Sequence, residues 1–185
     1  DEPGLSSLYQ HQPFDQTMTY LSIGERTNAN GSKAFREAML AENWDECLEI
    51  AKSQTREGAH ALDVCVDYVG RDGVRDAREL ISRLVTATTL PLVLDSTEPA
   101  VLEAGLECTG GRVMINSVNY EDGDGPTSRF ARIMPLVREH GAAVVALTID
   151  ETGQARTADH KFEIAKRLIE DLTGNWGMRL ADITV

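Results

Sequence analysis

Seven polar side chains in this chain stand at or just past the ends of short apolar runs: Glu25 and Asn28, Asp63 and Asp67, Asp95, Asn116, and Asp150. A carboxylate accepts two parallel hydrogen bonds from neighbouring N–H groups, and a primary amide both gives and takes. Gathered on one rim, such groups would hold a flat heterocycle by its edge. A 2-amino-4-oxopyrimidine ring presents the matching donors and acceptors, with Asp95 and Asn116, on successive runs, as the central pair. Each residue also has a plainer reading. An Asp after a strand often caps the next helix, although Ser96 or Thr97 could meet that need beside Asp95. Asn116, inside the apolar run "VMINSVN", could bond a neighbouring strand end, since a buried amide without partners costs a few kcal/mol. Five strand ends in succession are harder to assign to capping.

The elements that must position these groups are legible as an alternation. Apolar runs fall at 18–24, 60–66, 91–96, 112–117, 142–150 and 181–185, mostly continuous, as in strands covered on both faces. Between them lie helical patterns. One places Trp44, Leu48, Ala51 and Thr55 on a face, with Asn43 as N-cap and Gly58 past the end. Another aligns Val74, Ala77, Ile81, Leu84 and Val85, and a third Phe162, Ala165, Leu168, Ile169 and Leu172. Pro135 should kink the helix that contains it. Strand–helix alternation gives an α/β protein with a parallel sheet, either doubly wound or closed as a (β/α)8 barrel. The string "GERTNANG" after the first run lacks the dinucleotide-binding glycine spacing. Polar groups at successive C-terminal strand ends favour the barrel, whose active sites lie at that mouth. Residues 1–17 are polar, carry Pro3 and Pro13 and show no period; they read as an N-terminal arm or linker, and 18–185 as the barrel domain.

The formal net charge is −12, from 18 basic and 30 acidic residues, which argues against nucleic acid and anionic membrane surfaces as partners. Three separated cysteines make neither a disulfide framework nor a thiolate zinc set, so a reducing cytoplasm is expected. The opening residues do not form a signal peptide, and no run approaches the roughly 20 apolar residues of a membrane helix. The four histidines are scattered and read as structural or solvent-facing.

The strings "IGERTNANGSKAFREAML", "ALDVCVD", "VLDSTEPAVLEAGL", "INSVN" and "GAAVVALTIDETGQART" together resemble the pterin-binding barrels of cobalamin-dependent methionine synthases, from about Tyr20 to Val185. The first and last strings are the specific ones. Dihydropteroate synthases and corrinoid-dependent methyltetrahydrofolate methyltransferases have similar barrels. The resemblance implies binding of 5-methyltetrahydrofolate and transfer of its N5 methyl to cob(I)alamin, for passage onward to homocysteine. Asp95 and Asn116 then fall on the pterin-binding carboxylate and amide. Glu25 and Asn28 line the same mouth, and Gly31, Ser32 and Lys33 match a loop that touches the folate. Asp63 matches the first aspartate of a D-x-N-x-D string, with Cys65 in place of its asparagine. Arg26 pairs with a strand-end carboxylate or meets the ligand. A tertiary amine leaves poorly unless N5 gains a proton or a strong hydrogen bond, and Asp63, Asp95 and Asp150 would supply negative field near that developing cation. No residue is assigned a catalytic role.

The resemblance also says what lies elsewhere. Methylcobalamin would be bound by another domain of the parent enzyme, and zinc by its homocysteine-binding domain. Six strands are fewer than the eight of a full barrel, so the chain reads as a fragment truncated after about six strands. Its relatives continue with a pterin-binding aspartate and a seventh strand bearing an amide. Weak or absent folate binding, no activity and self-association through open strand edges are therefore expected of the chain alone. Two rival readings are a dihydropteroate synthase-like pterin-condensing enzyme and a non-catalytic folate-binding fragment; "GERTN" and "DETGQA" favour the methyltransferase.

Overall fold

Each apolar run of the sequence yields a short parallel strand, in two units that divide after residue 114. The computed structural model describes residues 2–185.

The first unit opens with an antiparallel hairpin, β1 (Gly4–Ser6) and β2 (His11–Pro13). The sequence shows no period here because the hairpin is held by its surroundings. Leu5 is buried, Ser6 N–H donates to Arg112 O at 2.9 Å, and Ser7 Oγ donates to Thr89 O at 2.7 Å. There follow β3 (Ile23–Gly24), α1 (Lys33–Leu40), α2 (Trp44–Arg56), β4 (Ala61–Val64), α3 (Gly73–Ala87), β5 (Leu92–Asp95) and α4 (Pro99–Cys108). Strands β3, β4 and β5 run parallel in that order, with Gly24 opposite Leu62, and Asp63 opposite Val93.

Side chains alternate faces along a strand, and that rule sorts this sheet. Leu94 turns toward α4, where a Cβ on Gly105 would lie 3.0 Å from both Leu94 and Ile81. Val64 lines the same apolar gap with Ala77. Asp63, one position from Val64, faces the side opposite those helices; Asp95, at the end of β5, borders the gap, and its carboxylate meets the same amide as that of Asp63. Asn43, Asp72 and Ser32 cap α2, α3 and α1 through their side chains.

Two expectations need correction in this unit. The run 18–24 is not a full strand: only Ile23–Gly24 pairs, and Met18 and Tyr20 are 93% and 91% exposed. Met18 and Tyr20 lie before the sheet begins, whereas Leu21 and Ile23 are half-buried. In α2 the buried residues are Cys47, Ala51 and Gln54; Ala51 is as expected, while Trp44, Leu48 and Thr55 flank that face half-buried. The first crossover also holds two helices, α1 and α2, where a single pattern was read.

The second unit contains β6 (Met114–Val118) from its second residue on, α5 (Arg129–His140), β7 (Ala143–Ala146), β8 (Ile149–Asp150), β9 (Gly153–Gln154), α6 (Ala158–Gly174) and β10 (Ile183–Thr184). Strand β7 lies between β6 and β10, and pairs parallel with β10. Helix α5 runs unbroken from Ser128, its N-cap, through Pro135 to Gly141, whose φ of 64° ends it. Ile164, Leu168 and Leu172 form the buried face of α6, a spacing of four that leaves Phe162 65% exposed. The core of this unit includes Tyr120, which donates to Asp171 Oδ2 at 2.7 Å under the guanidinium of Arg167. The run 142–150 is split: β7 stops at Ala146, and Asp150 sits in the small β8–β9 hairpin. Asp150 thus does not end a strand of the parallel set, as the continuous apolar run suggested.

No helix among the described residues is long and apolar enough to cross a membrane.

Candidate functional site

The loop after β3 carries the first candidates, and its backbone is closely held. Ala29 N–H donates to Cys65 O at 2.9 Å, and Cys65 N–H to Thr27 O at 3.1 Å, so the loop continues the parallel ladder beside β4. Buried there, the Asn28 amide uses its whole bonding capacity. Its oxygen accepts from Asn30 N–H at 2.8 Å and Gly31 N–H at 3.0 Å, while its nitrogen donates to Asp63 at 2.8 Å and Asp95 at 3.1 Å. Two lone pairs and two N–H groups are thereby spent. The structure thus brings Asn28, Asp63 and Asp95 into direct contact at the C-terminal edge of β3–β4–β5.

The electrostatics of this cluster follow from its neighbours. Asp63 is 4% exposed, and Asp95 is half-buried. Burial, then the charges of Asp63 and Asp67, push the Asp95 carboxyl up to about 7; the Asn28 N–H pulls the other way but does not offset them. Asp95 is thereby held toward its protonated form. A ligand edge offering N–H donors would favour the ionised carboxylate, with the proton released to solvent.

Capping does not explain these aspartates. Helix α3 is capped by Asp72, and the start of α4 is served by Ser96 Oγ, which accepts from Glu98 N–H at 3.0 Å. Asp67 has a tying role: both its oxygens accept from Ser96 Oγ, at 2.8 and 2.9 Å, and one accepts from Thr97 N–H at 3.0 Å. Cys65 is buried behind the rim, and burial pushes its thiol up to about 12. Its Sγ lies 3.6 Å from Asn30 Nδ2.

The remaining candidates are more peripheral. Glu25 is exposed. Gly31 lies close against the loop, where a Cβ would sit 3.2 Å from Glu25 O. Ser32 caps α1 by accepting from Phe35 N–H at 3.3 Å, and Lys33 is exposed beside Glu37. Arg26 does not pair with a strand-end carboxylate; its partner is Glu57, at the end of α2. In the second unit, Asn116 is half-buried on β6. Asp150 accepts from Thr152 N–H at 2.9 Å and Thr152 Oγ1 at 2.6 Å, and lies 2.9 Å from His160 Nε2. Those bonds, the Thr152 hydroxyl first, lower its carboxyl to about 2.

One residue of this architecture escaped sequence reasoning. Gln54, inward on α2, accepts from Arg26 N–H at 2.8 Å and donates to Thr27 Oγ1 at 2.6 Å. The signal was present as a long amide within an otherwise apolar helix face.

A model of the family described as pterin binding enzyme matches residues 24–185. The chain belongs to the pterin-binding enzyme family. The match starts at the end of β3, so it spans every candidate from Glu25 to Asp150. Among curated proteins, the chain is 69% identical over 184 residues to a methionine synthase of Mycobacterium tuberculosis and 65% identical to one of Mycobacterium leprae. Each alignment covers 100% of this chain and 15% of the relative's length. Among solved structures, the 7,8-dihydropteroate synthase of Vibrio fischeri superposes with a TM-score of 0.65 at 15% identity, covering 97% of this chain and 64% of that one. That likeness places the fold with the (β/α)8 barrels of the pterin-binding family, of which the described residues supply six parallel strands. Among the described residues of this family member, no group of three or more His, Cys, Asp or Glu side chains is arranged to hold a metal ion.

Proposed function

We propose that this chain is the folate-binding portion of a methionine synthase, which binds 5-methyltetrahydrofolate and presents its N5 methyl for transfer. The observation that carries the reading is the Asn28-bridged pair of Asp63 and Asp95 at the C-terminal edge of the sheet, in a chain 69% identical to a methionine synthase.

The chemistry follows from the donor set. Asn28 is saturated within the chain, so it acts by orienting the two carboxylates. Asp95 receives the ring N–H and the exocyclic amine of the pterin as two parallel bonds, and these favour its ionised form. Asn116, on β6 of the second unit, carries an amide able to give one hydrogen bond and take one. Gly31, Ser32 and Lys33 flank the path of the folate tail, with Glu25 on the rim. Negative charge from Asp63 and Asp95 favours protonation at N5, which turns a poor amine leaving group into an acceptable one. The cobalamin, in its cob(I) form, would accept the methyl and so become methylcobalamin; in this reading it and the zinc-held homocysteine belong to other domains of the parent protein, which is cytoplasmic.

The test is titration of 5-methyltetrahydrofolate into the full-length parent protein. Two hydrogen bonds to a charged group are at stake, so Asp95→Asn should weaken binding by about 100-fold. Equal affinity in wild type and variant would overturn the reading.

A further inference from the structure

We propose that Gln54 is a positioning residue for the pterin site: its buried amide fixes the β3–α1 loop where Asn28 bridges Asp63 and Asp95. This rests on the folate-binding reading above.

Gln54 is 2% exposed. Its Oε1 accepts from Arg26 N–H and its Nε2 donates to Thr27 Oγ1, the two residues immediately before Asn28. The approach requires Gly24: a Cβ there would lie 2.5 Å from Gln54 Oε1. On its other side the loop is held by β4, since Thr27 O accepts from Cys65 N–H. Thr27 is thus gripped by its hydroxyl from α2 and by its carbonyl from β4. Asp63 and Asp95 are fixed by their own strands; Asn28 is held by its loop, which pairs with Cys65 of the β4 edge on one side and meets Gln54 on the other. Loss of the α2 grip lets the loop relax outward, lengthening the two N–H···O bonds from Asn28, and hydrogen bonds weaken steeply with such misalignment. An apolar side chain at position 54 would fill the space but leave the Arg26 N–H and the Thr27 hydroxyl without partners. Glutamate is the conservative replacement, because it still accepts from Arg26 N–H and the Thr27 hydroxyl can rotate to donate to it.

The experiment measures 5-methyltetrahydrofolate affinity of the full-length parent protein across pH 5.5 to 8.5, alongside thermal stability. Gln54→Leu should weaken binding by about tenfold, the scale of one buried hydrogen bond with an orphaned partner. It should also move the midpoint of the pH profile upward, because Asp95 loses its Asn28 donor. Gln54→Glu should restore both to within about threefold. Ala51→Gly, on the same helix face, should lower the melting temperature while leaving affinity and midpoint alone. Thr27→Val provides a second route should Gln54→Leu not fold, with weaker binding and the same direction of midpoint shift expected. Wild-type affinity and midpoint in Gln54→Leu, or in Thr27→Val where that variant is used, would overturn the proposal. So would an Ala51→Gly variant that reproduces the midpoint shift. Failure of wild type to bind would overturn the folate reading, and the positioning role with it.

Discussion

Two aspartates of this chain follow apolar runs that look alike in sequence, and the structure drives them in opposite directions. Asp95 ends β5 half-buried beside a second carboxylate, and its carboxyl rises to about 7. Asp150 lies in the β8–β9 hairpin, where Thr152 and His160 surround it with donors, and its carboxyl falls to about 2. The difference teaches that strand-end position alone does not make a ligand group. Asp150 has its donors built in. Asp95 receives one N–H from Asn28 against two neighbouring carboxylates, and its environment improves when a ligand brings more donors. The first arrangement stabilises a turn; the second leaves Asp95 with more repulsion than donation, the environment expected of the ligand group proposed above.

The comparison breaks most severely at Asn28. Asn28→Leu removes a donor shared by the buried Asp63 and the half-buried Asp95. The expected cost is about 3 kcal/mol of folding stability at neutral pH, the scale for orphaning buried charged partners. Denaturant unfolding checks it. A loss below about 1 kcal/mol would mean that Asn28 is not what holds the pair together.

A smaller effect has a distinctive sign. Because the folded-state carboxyl of Asp95 titrates above its unfolded value, the folded state binds more protons between roughly pH 4 and 7. Its contribution to stability is therefore fully present below about pH 4 and is lost as pH rises through 7. Asp95→Asn should flatten that limb and raise the melting temperature at pH 8 by about 2 to 6 °C, even as it costs ligand affinity. A melting temperature that falls at pH 8 would show that the charge at Asp95 is compensated in the folded state. Stability gained where binding is lost is the mark of a functional rather than a structural carboxylate.

The sequence made the repeating part of this protein readable and left the contingent part obscure. The runs at 60–66, 91–96 and 112–117 became β4, β5 and β6 because parallel strands covered on both faces demand continuous apolar residues. Asp95 was legible for the same reason: a charge at the end of such a run has few places to go. The β1–β2 hairpin was not, since its order comes from Arg112 and Thr89, about a hundred residues away in sequence. Gln54 was hidden because its role depends on Gly24, Arg26 and Thr27, which no helical period reveals. Asp150 was misplaced because "AAVVALTID" is apolar throughout, and nothing in that composition marks the break after Ala146. Its Thr152, two residues on, was the available clue: Asp-x-Thr favours a side chain bonding its own backbone turn.

That clue leads to the finest distinction. If the Asp150 carboxyl is held down mainly by its turn and only secondarily by His160, removing each partner should move its titration unequally. Thr152→Val deletes the hydroxyl donor, the largest influence, and should raise the midpoint more than His160→Ala does. Both variants shift the midpoint upward from about 2, toward the ordinary carboxylate value. The sign for stability is the reverse of that at Asp95: the contribution is present above the unfolded carboxylate value and is lost as pH falls toward 2. Carbon-detected NMR titration of the side-chain carboxyl reads these midpoints directly. A larger shift in His160→Ala would make Asp150 one half of an ion pair, and so a charge borrowed from its histidine. A larger shift in Thr152→Val would leave it a turn-bound carboxylate whose ionisation does not depend on the protonation of His160, and the contrast with the donor-poor Asp95 would then rest on hydrogen bonds alone.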